Sequence, residues 1–132
     1  MSTPTPFRHE IRVRYGEVDM QRHVFNAHYL AYVDDACDAW LRSALGDDYL
    51  TSGALDIVLK RADITWHGAA GHGDVLAIDV AVRRWGRTSF DVGFEGSVGE
   101  RPVFSAVVTY VAVAPGTTEP APVPEAVRSA LS

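Results

Sequence analysis

The run Arg14-Tyr15-Gly16-Glu17-Val18-Asp19-Met20-Gln21-Arg22-His23-Val24-Phe25-Asn26-Ala27-His28-Tyr29 separates two segments of different hydrophobic period. Before it, residues 9–15 alternate charged and apolar side chains, which predicts a strand with one buried face. After it, Leu30, Val33, Cys37, Trp40, Leu41 and Ala44 recur at helical spacing opposite Asp34, Asp35, Asp38 and Arg42. One long helix follows from that stripe, with Asp38 and Arg42 paired at i,i+4. Asn26 is the expected N-cap, and Gly46 the expected stop. The run itself keeps neither period. It reads as a loop that delivers a carboxylate, Asp19, to the start of a helix.

Beyond the helix the period falls to two. Residues 55–66 hold Ile57, Val58, Leu59, Ala62, Ile64 and Trp66. Residues 74–83 put Leu76, Ile78, Val80 and Val82 on one face, and residues 88–98 do the same with Phe90, Val92 and Phe94. Residues 103–113 are apolar on both faces, as in a central strand or one covered by a partner subunit. Gly71-His72-Gly73, Trp85-Gly86 and Gly99-Glu100 fall where turns are needed. The expected order is strand, helix, then four strands in a meander. That is an α+β architecture, one long helix on a five-stranded antiparallel sheet, in one domain over residues 1–132. Residues 1–6 read as a loose tail, residues 115–124 as a loop, and Pro124 as the start of a short helix through Leu131.

Composition narrows the function. The chain has 132 residues, 47% of them apolar, enough for one domain with a sizeable core. Its formal net charge of -5 argues against a nucleic-acid partner, which needs clustered cations. The small basic groups Lys60-Arg61 and Arg83-Arg84 suit solvated charges or a small-molecule phosphate. Cys37 is the single cysteine, so an intrachain disulfide is impossible. No apolar run is long enough to span a bilayer, and the first residues lack a signal-peptide core. A soluble cytoplasmic protein without a membrane partner is the expectation.

A helix N-terminus presents unpaired N–H groups and a partial positive charge. A thioester oxygen pointed there gains donors for its developing negative charge, each worth about 3 kcal/mol in the transition state. Asp19, a few residues upstream, can activate water or attack the carbonyl itself. Here the sequence resembles the 4-hydroxybenzoyl-CoA thioesterase branch of the hotdog superfamily. Tyr15, Asp19, His23-Val24, Asn26-Ala27 and Tyr29-Leu30 carry the likeness, and so do Gly73-Asp74 and Trp85-Gly86-Arg87-Thr88-Ser89-Phe90.

The resemblance implies a hotdog fold and a thioesterase with Asp19 as catalytic carboxylate. It implies a backbone N–H near Asn26 as the oxyanion donor, with His23 beside them. It implies substrate contacts at Tyr29 and, for the pantetheine and nucleotide of CoA, at Arg87, Thr88 and Ser89. No cofactor is implied, and a homodimer or homotetramer with shared active sites is. Members of that branch often have glycine near the position of His23, where this chain has Met20-Gln21-Arg22. Three functions fit: hydrolysis of acyl-CoA, hydrolysis of chains on an acyl carrier protein, or acyl binding without catalysis.

The remaining candidates have plainer readings. Glu17, two residues from Asp19, competes for the catalytic role but reads rather as a solvated charge. His23 either orients Asp19 or a water or, the plainer reading, makes a structural hydrogen bond from loop to helix. His28 reads as a lining or exposed residue. His23/His28 and His67/His72 lack the spacing of a zinc helix, so no metal is expected. Cys37 lies on the apolar stripe and reads as a small buried hydrophobe. Trp40, Trp66, Phe90 and Phe94 read as core or interface.

Overall fold

A computed structural model describes residues 6–132. The expected tail at residues 1–6 therefore lies, except for the exposed Pro6, outside the described residues. Strand β1 (Phe7–Arg12) leads through a 3-10 turn (Tyr15–Glu17) to helix α1 (His28–Leu45). Then come β2 (Ile57–Trp66), β3 (Val75–Trp85), β4 (Ser89–Val98), β5 (Arg101–Ala112) and a short α2 (Glu125–Leu131).

The five strands form one antiparallel sheet in the order β1-β3-β4-β5-β2. The meander therefore covers only β3, β4 and β5, not all four later strands. β1 and β2 take the two edges because α1 crosses the sheet between them. Residues 67–74 then lead back past two strands to β3, about 14 Å at ordinary strand spacing. Strand β1 also sits earlier than residues 9–15. Its ladder runs from Phe7 opposite Val80 to Arg12 opposite Val75, and Arg14 turns away to bond Glu17.

Period-two alternation puts Leu76, Ile78, Val80, Phe90, Val92, Phe94, Ala106, Val108 and Tyr110 beneath the helix, all buried. The helix buries Tyr29, Tyr32, Val33, Ala36, Cys37, Trp40 and Leu41 against them. Burying a large side chain of this kind contributes roughly 1.5–3 kcal/mol. Gly96 stands opposite Phe104, and a Cβ there would run into the ring, so the glycine makes room for it. Val127 and Leu131 of α2 close one end of the core. Gly46 stops α1 as expected, at φ 102°, its N–H donating to the Arg42 carbonyl. The opposite face of the sheet is ionic, with Arg84 on Asp91, Arg83 on Glu95 and Arg8 on Asp79.

The outer edge of β2 has no neighbour among the described residues. Eight of its ten residues are exposed, including Val58, Leu59 and Trp66. An open strand of that length with apolar side chains is a template for pairing with another chain.

Candidate active site

The stretch between β1 and α1 folds back on itself. The Asp19 N–H donates to the His23 carbonyl at 2.8 Å, Val18 bridges Val24, and the Phe25 N–H donates to the Glu17 carbonyl at 3.1 Å. These rungs make a small hairpin with residues 20–22 at its tip. Arg22 turns the tip at φ 65°, the left-handed region that glycine adopts without strain. It is the one non-glycine residue with positive φ among the described residues. The hairpin is pinned to residues 67–74 by the Val24 N–H on the Ala70 carbonyl, by a His23–Gly71 bridge and by the His72 N–H on the Arg22 carbonyl.

Asp19 is exposed near the hairpin tip. Its Oδ1 accepts from the Gln21 N–H at 2.8 Å and the His23 N–H at 3.4 Å. These bonds fix the side chain, while Oδ2 accepts no hydrogen bond among the described residues. One oxygen is thus an anchor and the other is available for chemistry. His23, also exposed, contributes its backbone to the hairpin, and its imidazole makes no hydrogen bond among the described residues.

Asn26 is not the N-cap. That position belongs to Ala27, without a side-chain cap, because the chain enters α1 through a tight turn in which the His28 N–H donates to the Phe25 carbonyl at 2.8 Å. The Asn26 and Ala27 amides donate to nothing among the described residues. Two free donors at the start of an 18-residue helix are what a developing oxyanion requires. Asp19 lies two residues along the hairpin from the Glu17–Phe25 rung, about 7 Å at the usual strand rise.

Glu17 is not a solvated charge. It is 7% exposed and the one buried charged residue among those described. It accepts from the Arg14 N–H at 2.8 Å, the Arg14 guanidinium at 2.8 Å, the Tyr32 hydroxyl at 3.0 Å and, across 3.2 Å, pairs with Nε2 of His28. The Arg14 guanidinium first, then the other donors, hold its carboxyl down at about 2 against the opposing cost of burial. The signal missed in the sequence is His28 and Tyr32, one turn apart at the helix start, where both can face one carboxylate.

Tyr29 is buried at 1% exposure. Its hydroxyl oxygen accepts from the Ala70 N–H at 3.1 Å, and its ring packs on Trp66 and Phe104. The Ala70 carbonyl in turn accepts from the Val24 N–H, so Tyr29 is linked to the hairpin through that residue. Arg87, Thr88 and Ser89 lie in the β3–β4 turn and the first residue of β4, away from Asp19 in the chain. Arg87 is exposed, and its guanidinium has no partner among the described residues. The Arg87 carbonyl accepts from Val123, which ties the turn to the C-terminal segment. Cys37 is buried as expected, its thiol pushed up to about 11 by burial. Trp40, Phe90 and Phe94 are core, whereas Trp66 is 45% exposed beside the site. No cluster of three or more His, Cys, Asp or Glu suited to a metal occurs among the described residues. Among the described residues no helix is long and apolar enough to cross a membrane.

Solved structures confirm the hotdog fold. A hypothetical protein from Aquifex aeolicus superposes with a TM-score of 0.87 at 23% identity, covering 96% of this chain and 100% of that one. A 1,4-dihydroxy-2-naphthoyl-CoA thioesterase from Synechocystis gives 0.82 at 22% identity, covering 95% and 94%. A thioesterase from Thermus thermophilus, solved with coenzyme A and Zn, gives 0.83 at 24%, covering 96% and 92%. The chain belongs to the thioesterase-like superfamily, whose profile matches residues 13–131. That membership supports thioester hydrolysis as the general class of reaction. No curated protein matches the sequence.

Proposed function

We propose that this protein hydrolyses acyl-CoA thioesters, with Asp19 as the catalytic carboxylate and the Asn26 and Ala27 amides as the oxyanion site. The observation that carries this reading is the division of the Asp19 carboxylate into an anchored Oδ1 and a free Oδ2, on the hairpin that leads into two unpaired helix-start amides. As a general base, Oδ2 takes a proton from water while the water oxygen bonds to the thioester carbon. The carbonyl oxygen becomes an oxyanion held by the two amides. Collapse breaks the C–S bond, and the thiolate of CoA takes up the proton, leaving a carboxylic acid and free CoA. Direct attack by Oδ2, giving a mixed anhydride that water then opens, uses the same placement.

The β3–β4 turn lies at the opposite end of β3 from the Asp19 hairpin, so Arg87, with its unpartnered guanidinium, is proposed to meet a phosphate of the CoA bound at the other subunit's Asp19 site, and Thr88 and Ser89 its pantetheine arm. Tyr29 and the half-exposed Trp66 are proposed to form the wall of the acyl site, with His23 fixing the hairpin beside it. The CoA bound to the Thermus thermophilus thioesterase supports CoA as the carrier.

The protein is further proposed to act as a homodimer that pairs β2 with its two-fold copy and completes each site with the second subunit. Antiparallel pairing about Ala62 sets Arg61 opposite the partner's Asp63, covering the open edge and joining opposite charges. The proposed activity is tested with a panel of short, long and aromatic acyl-CoAs, scored by release of free thiol. Hydrolysis of at least one class is expected. Binding without thiol release across the panel would point to a non-catalytic acyl-binding protein.

A further inference from the structure

Glu17 is the group that the reaction above does not use, yet it collects more hydrogen bonds than any other carboxylate of the site. Its partners come from three places: Arg14 after β1, the hairpin through Phe25, and the first two turns of α1 through His28 and Tyr32. Those are the pieces whose relative placement decides whether Asp19 faces the free amides at the helix start. Phe25 bonds the Glu17 carbonyl while Tyr32 bonds its side chain, so one residue grips the hairpin and the helix together.

We infer that Glu17 is a positioning residue, whose side chain locks the first turns of α1 to the Asp19 hairpin and so sets the register between carboxylate and oxyanion donors. The inference rests on the proposed roles of Asp19 and of the Asn26 and Ala27 amides. A carboxylate is needed here, since only an acceptor with two charged oxygens satisfies the Arg14 guanidinium, the Arg14 amide, the hydroxyl and the imidazole together. With a carboxylate as partner, Nε2 of His28 is a donor and carries a proton. A misplacement of the order of 1 Å at a reacting group is enough to lower turnover by about a hundredfold.

The test compares Glu17→Gln, Tyr32→Phe, Asp19→Ala and the Glu17→Gln/Asp19→Ala double variant on an acyl-CoA that the wild type hydrolyses. Amide hydrogen exchange at Asp19 and Phe25 is measured alongside. Glu17→Gln is expected to lower kcat at least about tenfold with KM within about twofold. Tyr32→Phe, the second variant should Glu17→Gln not fold, shifts kcat in the same direction by less. The double variant is expected to be no slower than Asp19→Ala alone, and exchange at both amides to quicken in Glu17→Gln. A folded Glu17→Gln protein with wild-type kcat, or a double variant slower by the product of the two single effects, would overturn the inference. If Asp19→Ala keeps full turnover, the catalytic reading fails by itself. Exchange then judges the grip of Glu17 separately, and unchanged rates at Asp19 and Phe25 overturn it.

Discussion

The Tyr32 hydroxyl donates to Oε1 of Glu17 at 3.0 Å, inside the first turns of α1 and out of reach of solvent. The Arg14 guanidinium first, with this hydroxyl among the lesser donors, holds the Glu17 carboxyl well below its ordinary value, at about 2. A carboxyl depressed on folding contributes stability above its unfolded value and loses it as pH falls through its folded one. Glu17 therefore supports the fold fully above about pH 4.5, and that support fades toward pH 2. Denaturant titrations between pH 6 and pH 2 are expected to show a smaller acid loss in Glu17→Gln than in the wild type. Tyr32→Phe is expected to cost about 1.5–3 kcal/mol at neutral pH, the scale of a hydrogen bond to a charged group.

Arg22 pays for the hairpin tip with a left-handed backbone at φ 65°. That conformation costs a non-glycine residue about 1–2 kcal/mol, and glycine returns part of the gain through greater freedom of the unfolded chain. Arg22→Gly is expected to raise stability by roughly 0.5–1 kcal/mol in urea denaturation. A loss of stability would mean that the arginine side chain contributes contacts that outweigh the strain.

Much of the fold is legible in the sequence because its elements announce themselves by period. The stripe from Leu30 to Ala44 gives α1, and Phe90, Val92 and Phe94 give one face of β4. Strand order is less legible. Whether β2 pairs with β3 or with β5 depends on where α1 sets the chain down, and the β2 residues read alike in either place. In the site, a carboxylate on a loop at a helix start could be read from Asp19 and the helical stripe that follows. Which of its oxygens is anchored could not, because the anchors are backbone amides. Glu17 misleads for a related reason. A charge is buried only when its partners converge, and Arg14, His28 and Tyr32 do so only after the chain has folded.

Arg87 has an exposed guanidinium without a partner among the described residues, at the turn where the CoA moiety is proposed to lie. Arg87→Ala is expected to raise KM for an acyl-CoA about tenfold, the scale of a charge-assisted contact. KM for the same acyl group on pantetheine, which lacks the nucleotide phosphates, is expected to stay unchanged. Equal effects on both substrates would place the phosphates elsewhere.

Pairing of β2 about Ala62 makes a charge-dependent prediction. Asp63→Arg sets like charges opposite each other and is expected to weaken the dimer, read as a lower mass at micromolar concentration by light scattering. Adding Arg61→Asp restores opposite charges and is expected to restore the dimer. A dimer indifferent to both changes would place the subunit contact on another surface.

The most direct test of the central claim is the turnover of Asp19→Asn on a hydrolysed acyl-CoA. Asparagine keeps an Oδ1 acceptor for the Gln21 and His23 amides, so the hairpin survives while the free carboxylate oxygen is replaced by an amide nitrogen. A fall in kcat of about 10²–10⁴-fold is predicted, with circular dichroism and melting temperature close to those of the wild type. Wild-type turnover in that folded variant would contradict the account.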